Sequence, residues 1–219
     1  MRNSKSFSVK QMVMLALLAA IAYMMVTLIR IPVVLFLKYE PKDVIITIGG
    51  FLFGPMASFV VSLLVSLLEM VTISETGPIG ALMNLLSTCT FACTAAIIYK
   101  KKHTLGGAIL ALIGGTILMT TAMLLWNWLI TPIYMGYPRD VVAGMLVPVF
   151  LPFNLLKAGL NSAFVLFLYK PLVTALRKTG LVASKEQVGG SSKKMGASLL
   201  GLLLLGTCIL LLLVFQGKI

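Results

Sequence analysis

Long apolar stretches separated by short basic or Gly/Pro-marked breaks dominate the chain, and their lengths predict its elements. An α-helix needs about 20 mostly apolar residues to cross a hydrocarbon core of roughly 30 Å. The first stretch, Gln11 to Ile29, meets that requirement. Residues 44–70 are too many for one helix, and Gly54-Pro55 breaks them, so a short second span (Val44–Phe53) and a third (Met56–Val71) are expected. The second is under-length and must be shielded by protein or border a cavity. Further spans follow at Ile79–Tyr99, Gly106–Ile130 and Pro148–Tyr169. A seventh apolar run, Gly196–Phe215, comes after a Lys/Ser/Gly-rich linker. The expected organisation is a bundle over 1–178, a basic linker over 179–195 and an extra C-terminal transmembrane helix over 196–219.

Composition agrees with that pattern. Of 219 residues, 59% are hydrophobic and only 11% charged, against about 25% charged in soluble domains. A soluble enzyme, a secreted disulfide scaffold and a free nucleic-acid-binding domain are excluded. The net charge of +12 does not point to nucleic acid, because the cations sit between spans, where they set topology and meet anionic head groups. The N-terminus, the loop at Lys100, Lys101 and Lys102, and the segment from Lys170 to Lys194 together carry twelve cations; the opposite side carries five. The N-terminus is therefore expected in the cytoplasm. The one-two loop (30–43), the three-four loop (72–78) and the five-six loop (132–147) are expected outside. Seven inserted spans would leave the C-terminus external. The first apolar run is long and has no small-residue cleavage site, so a retained helix is expected rather than a signal peptide. Cys89, Cys93 and Cys208 lie in apolar segments and read as small buried hydrophobes.

Polar residues within the spans carry the candidate chemistry, since a charge at mid-bilayer costs about 2.5–3.5 kcal/mol on insertion scales. Lys157 lies nine residues into the sixth span, and Asn154, Lys157 and Asn161 share one helical face. Such a stripe could glue helices together; with a lysine in it, a ligand or ion site is the stronger reading. Thr116, Thr120, Asn127 and Thr131 form a face of the fifth span, flanked by Trp126 and Trp128, which suit either an interfacial belt or stacking on an aromatic ligand. Ser58, Ser62, Ser66 and Glu69 align on the third span, where Glu69 could snorkel, enter the pocket or pair with Lys157. Asn84, Ser87 and Thr88 are a weaker set on the fourth. These faces predict a cavity in the outer half of the bundle, with aromatic walls from residues such as Phe51, Phe153 and Trp126.

Other chemistries lack their residues. Neither Gly106-Gly107 nor Gly114-Gly115 precedes the Gly-Lys-Ser/Thr of a phosphate loop. His103 is the sole histidine, which makes a His-based metal site or triad implausible. Without paired carboxylates or a nucleotide-hydrolysing motor, a concentrating carrier would draw energy from another subunit. Ala16 and Ala20 form a small-xxx-small pair on the first helix, which suits either internal packing or docking of a partner membrane subunit.

Five segments together resemble the substrate-binding S components of energy-coupling factor (ECF) transporters, most closely the riboflavin-specific ones, over about residues 8–175. They are Leu37-Lys38-Tyr39-Glu40-Pro41-Lys42-Asp43-Val44; Gly50-Phe51-Leu52-Phe53-Gly54-Pro55; Thr76-Gly77-Pro78-Ile79-Gly80-Ala81 with Asn84; Asn127-Trp128-Leu129-Ile130-Thr131-Pro132-Ile133-Tyr134; and Pro152-Phe153-Asn154-Leu155-Leu156-Lys157. The resemblance implies an all-α membrane protein with a six-helix bundle, its external one-two loop capping the vitamin, from which the seventh helix departs. It implies riboflavin as substrate, no catalytic activity or resident cofactor, and as partners a transmembrane coupling subunit and two cytoplasmic ATPases. In the family the S component is thought to topple within the membrane, carrying its vitamin inward. The implied flavin contacts are Asn154, Lys157 and Asn127, with Asn84, Thr131, Glu69 and Tyr39 as further candidates; Ala16 and Ala20 match the docking motif. Alternatives are an S component for another small vitamin or precursor, a membrane-embedded enzyme using Glu69 or Lys157, and a structural membrane partner.

Overall fold

The computed structural model describes residues 8–35, 37–74 and 77–178, and, within 201–213, all but 203, 210 and 212. The expected linker over 179–195 lies outside the described residues, as does Thr76. Helix α1 (Val9–Leu28) starts at a capping box in which Ser8 and Gln11 satisfy each other's backbone N–H groups. It is followed by an antiparallel hairpin, β1 (Ile31–Val34) and β2 (Leu37–Tyr39), that pairs Ile31 with Tyr39. The one-two loop is thus a folded element. Val33, Leu37 and Tyr39 turn inward onto Phe150, Phe153, Leu156 and Leu160.

Helix α2 (Lys42–Phe53) has twelve residues, about 18 Å at 1.5 Å per residue, so it cannot span a bilayer alone. Its neighbours shield it, and Val44, Ile46 and Ile48 are buried. Gly50 permits that closeness: a Cβ there would stand 2.0 Å from Ser58 Oγ and 2.9 Å from Ala96 Cβ. Gly54, at φ +96°, makes the sharp turn into α3 (Pro55–Thr72), a conformation that an L side chain resists.

Helix α4 (Gly77–Lys101) is continuous but widens into a π-helical turn at Cys89–Cys93. Thr90 Oγ1 donates to the carbonyls of Leu86 (2.7 Å) and Ser87 (3.0 Å), inserting a hydroxyl where the backbone ladder would close. Helix α5 (Leu105–Met135) absorbs Pro132 and ends at Gly136 in the left-handed region. Helix α6 begins as Arg139–Met145, passes through a π turn at Leu146–Phe150 containing Pro148, and continues as Leu151–Lys178. The long five-six loop expected over 132–147 is therefore only a short turn between Met135 and Arg139. Both prolines fall inside helices, where a missing N–H is tolerated if neighbouring segments and widened turns re-satisfy the carbonyls.

Among the described residues, five helical stretches are long and apolar enough to cross a membrane: Val9–Leu28, Pro55–Thr72, Gly77–Lys101, Leu105–Met135 and Arg139–Tyr169. The chain is a multi-pass membrane protein. The described residues between 201 and 213 are helical and lie against α6. A Cβ on Gly201 would sit 3.2 Å from the Ala163 carbonyl oxygen, and one on Gly159 2.8 Å from Cys208 Sγ. Numbers rise along this helix as they fall along α6, so the two run antiparallel.

Candidate functional site

Buried ionisable side chains gather where the β1–β2 hairpin meets α2, α3, α4 and α6. Asp43 is fully buried, and Lys42 and Glu69 are each 1% exposed. Lys42 Nζ donates to both oxygens of Glu69, at 2.6 Å to Oε2, and pairs with Glu40 Oε2 at 3.0 Å. Glu40 in turn holds Arg30 Nε at 3.0 Å, and Arg30 reaches the Ile73 carbonyl at 3.2 Å. Asn84 Nδ2 donates to Glu69 Oε2 at 2.7 Å.

A second chain of contacts starts at the hairpin. The Tyr39 hydroxyl donates to Asn161 Oδ1 (3.0 Å), and Asn161 Nδ2 donates to Asp43 Oδ2 (3.2 Å). Thr88 Oγ1 donates to Asp43 Oδ1 (2.7 Å). Lys157 Nζ lies 3.4 Å from Asp43 Oδ2 and donates to Ser87 Oγ at 3.2 Å. Burial, and to a lesser degree the Asp43 charge, push the Tyr39 phenol far above its ordinary range, so it remains a donor. Three cations (Arg30, Lys42, Lys157) face three carboxylates (Glu40, Asp43, Glu69), and the cluster is formally neutral. Neutrality matters because an unpaired charge in a low-dielectric interior costs several kcal/mol.

Beside this cluster is a cavity of about 160 Å³, lined by hairpin residues including Leu37 and Glu40, by Met83, Asn84 and Ser87 of α4, by Met123, Asn127 and Tyr134 of α5, and by Phe153, Asn154 and Lys157 of α6. The α5 and α6 asparagines are oriented by carbonyls one helical turn back: Asn127 Nδ2 donates to Met123 O (2.7 Å) and Asn154 Nδ2 to Phe150 O (2.7 Å). Carbonyl and carboxylate oxygens only accept, so these bonds, with that of Asn84 to Glu69, fix which amide end is nitrogen. The wall therefore offers three cationic side chains (Arg30, Lys38 and Lys157), the Glu40 carboxylate and three oriented amides, against apolar Met, Leu and Phe surface.

Of the residues expected to bind substrate, Asn84, Asn127, Asn154 and Lys157 line this one cavity. Thr131, Glu69 and Tyr39 are not among its lining residues. Thr131 donates to Asn127 Oδ1 at 3.0 Å, Glu69 anchors Asn84, and Tyr39 braces Asn161. Glu69 pairs with Lys42, not with Lys157 as considered from the sequence, because Asp43 occupies the place beside the Lys157 amine. Ser58, Ser62 and Ser66 are buried, with Ser58 Oγ donating to the Ile46 carbonyl at 3.1 Å. Ala16 and Ala20 are exposed, while Ala19 and Ala22 turn into the core.

The sequence reading did not single out Arg30, Glu40, Lys42 and Asp43 as site residues, placing them in the external one-two loop. One signal was present. Glu40, Lys42 and Asp43 crowd four positions before an apolar run, in a chain with only six acidic residues.

A family model described as the ECF transporter, substrate-specific component, matches residues 10–169. The chain is 30% identical over 178 residues to "Riboflavin transporter RibU" of Staphylococcus aureus (strain TCH60), covering 77% of this chain and 93% of that one. It is 28% identical over 166 residues to "Riboflavin transporter FmnP" of Bacillus subtilis (strain 168), covering 68% of this chain and 84% of that protein. A solved structure, described as the S component of a bacterial ECF transporter, superposes with a TM-score of 0.65 at 31% identity, covering 77% of this chain and 98% of that one. With the bundle, the capping hairpin and the lined cavity in place, the chain belongs to the family of substrate-specific components of ECF transporters, and is a transport subunit, not an enzyme.

Proposed function

We propose that this chain binds riboflavin and delivers it inward as the substrate-specific component of an ECF importer. The observation that carries the reading is the set formed by the Lys157 amine and the oriented amides of Asn84, Asn127 and Asn154 on one cavity wall. An isoalloxazine ring has one edge of carbonyls around a ring N–H and an opposite xylene edge. Lysine and amide N–H groups donate to the carbonyls, an amide oxygen accepts from the ring N–H, and Met and Phe surface suits the xylene. Thr131, Glu69 and Tyr39 act behind them by holding Asn127, Asn84 and Asn161. The names carried by the curated relatives support the same ligand.

The cavity volume adds a condition. About 150 Å³ holds a benzene-sized guest, and the cavity of about 160 Å³ matches one ring of a flavin. A flavin enters as the β1–β2 hairpin moves outward and then closes over it. The same volume favours a second reading, a vitamin or precursor with a single ring. Transport requires a transmembrane coupling subunit, which docks on the exposed Ala16/Ala20 face of α1, and two cytoplasmic ATPases. The cation distribution supports a cytoplasmic N-terminus with the hairpin outside. On this reading residues 1–178 form the substrate-carrying bundle, and the segment after 196 is a further transmembrane helix ending outside.

The test is a titration of riboflavin fluorescence with protein in mild detergent, with single-ring vitamins as competitors. Saturable quenching that single-ring vitamins do not reverse supports riboflavin. Its absence, or reversal by such a vitamin, selects the second reading.

A further inference from the structure

Asp43 is fully buried at the N-terminal end of α2, and it does not line the cavity. Its carboxylate is fixed from two helices: Thr88 of α4 donates to Oδ1 at 2.7 Å and Asn161 of α6 to Oδ2 at 3.2 Å. Asn161 is itself held by the Tyr39 hydroxyl at 3.0 Å. The free side of Oδ2 meets Lys157 Nζ at 3.4 Å. A lysine has four torsions and a flexible stem, so its amine is a poor recognition group unless something locates it. Ser87 supplies one further contact, at 3.2 Å. An ammonium has three N–H donors. One is given to Ser87, the Asp43 carboxylate lies at ion-pair distance, and the amine keeps N–H capacity for the cavity it lines.

We propose that Asp43 is the positioning residue for Lys157: its ion pair holds the amine at the cavity wall, where an N–H reaches the ligand, and it supplies the countercharge that keeps an ammonium in a buried position. Asp43 acts on the ligand only through Lys157. A carboxylate without a ligand contact thereby sets affinity, and the Thr88 and Asn161 bonds set its own geometry. The inference rests on the proposed riboflavin site and names what holds its Lys157 donor in place.

A double-mutant cycle tests it, because a role exerted through one partner disappears when that partner is removed. Riboflavin affinity is measured for the full chain in detergent as wild type, Asp43→Asn, Lys157→Met and the double variant, with thermal unfolding of each ligand-free protein alongside. Asp43→Asn is expected to weaken binding about tenfold in the wild-type background and to change it less than about twofold in the Lys157→Met background. The double variant should melt above the value obtained by adding the two single losses, because each single change strands one charge. An Asp43→Asn protein that fails to fold while the double variant folds and binds like Lys157→Met also supports the proposal. Equal losses in both backgrounds, or misfolding of the double variant as well, would overturn it and make Asp43 a structural residue. A wild-type chain that binds no riboflavin defeats the proposed function itself, an outcome distinct from additivity in a chain that binds.

Discussion

Lys42 of α2 lies against both carboxylate oxygens of Glu69 of α3, and each side chain is only 1% exposed. A helix too short to cross the membrane is thus pinned at its polar end by an ion pair that water does not reach. Removing one partner leaves the buried cluster with an uncompensated charge. Glu69→Gln or Lys42→Met is expected to destabilise the bundle by about 3–5 kcal/mol. Replacing both by apolar residues of similar size should recover much of that loss. Thermal unfolding in detergent measures both, and single variants as stable as wild type would contradict the pairing.

The opposite end of the same helix is held by steric fit. Gly50→Ala would put a methyl group 2.0 Å from Ser58 Oγ and 2.9 Å from Ala96 Cβ. The expected cost is about 1–3 kcal/mol, read as a lower melting temperature. Gly106→Ala, where no heavy atom lies within 4 Å of the added carbon, should be nearly neutral and serves as the control.

The hairpin is tied to α6 by the Tyr39–Asn161 bond at 3.0 Å. Tyr39→Phe keeps the ring that packs inward and deletes only the hydroxyl. Because Asn161 would then be left under-satisfied in a buried place, the closed state loses about 1–3 kcal/mol. Riboflavin should dissociate faster, with little change in association rate. Stopped-flow fluorescence separates the two, and an unchanged off-rate would free the hairpin of this role.

Ala16 and Ala20 are exposed on α1, and neither lines the cavity. Ala16→Trp with Ala20→Trp should leave riboflavin affinity in detergent unchanged and abolish uptake by cells, since bulky rings block close helix approach. Uptake at the wild-type level would refute this docking face.

Much of the bundle was legible because membrane spans obey length and hydropathy. The break at Gly54-Pro55 and the shielding required for α2 followed from the same arithmetic. Asn154, Lys157, Asn127 and Asn84 were legible as polar groups that a lipid-facing helix would not carry. What stayed hidden was pairing between segments distant in sequence. Asp43 and Lys157 are 114 positions apart, and the crowding of charges at 40–43 does not say with which residues they pair. Positive-inside counting hid the pairing further by treating Lys42 as a loop charge. Pro132 and Pro148 misled in another way, because a helix breaker in water is tolerated inside a packed membrane helix.

The central claim is that the Lys157 amine recognises the polar edge of a flavin, and the most direct measurement is riboflavin affinity by fluorescence quenching for wild type and Lys157→Met in the same detergent. The account predicts saturable one-to-one binding by wild type and about 10–100-fold weaker binding by a variant that remains folded, the loss of one charged hydrogen bond at about 1.4 kcal/mol per tenfold. Equal affinity of the two proteins would contradict it.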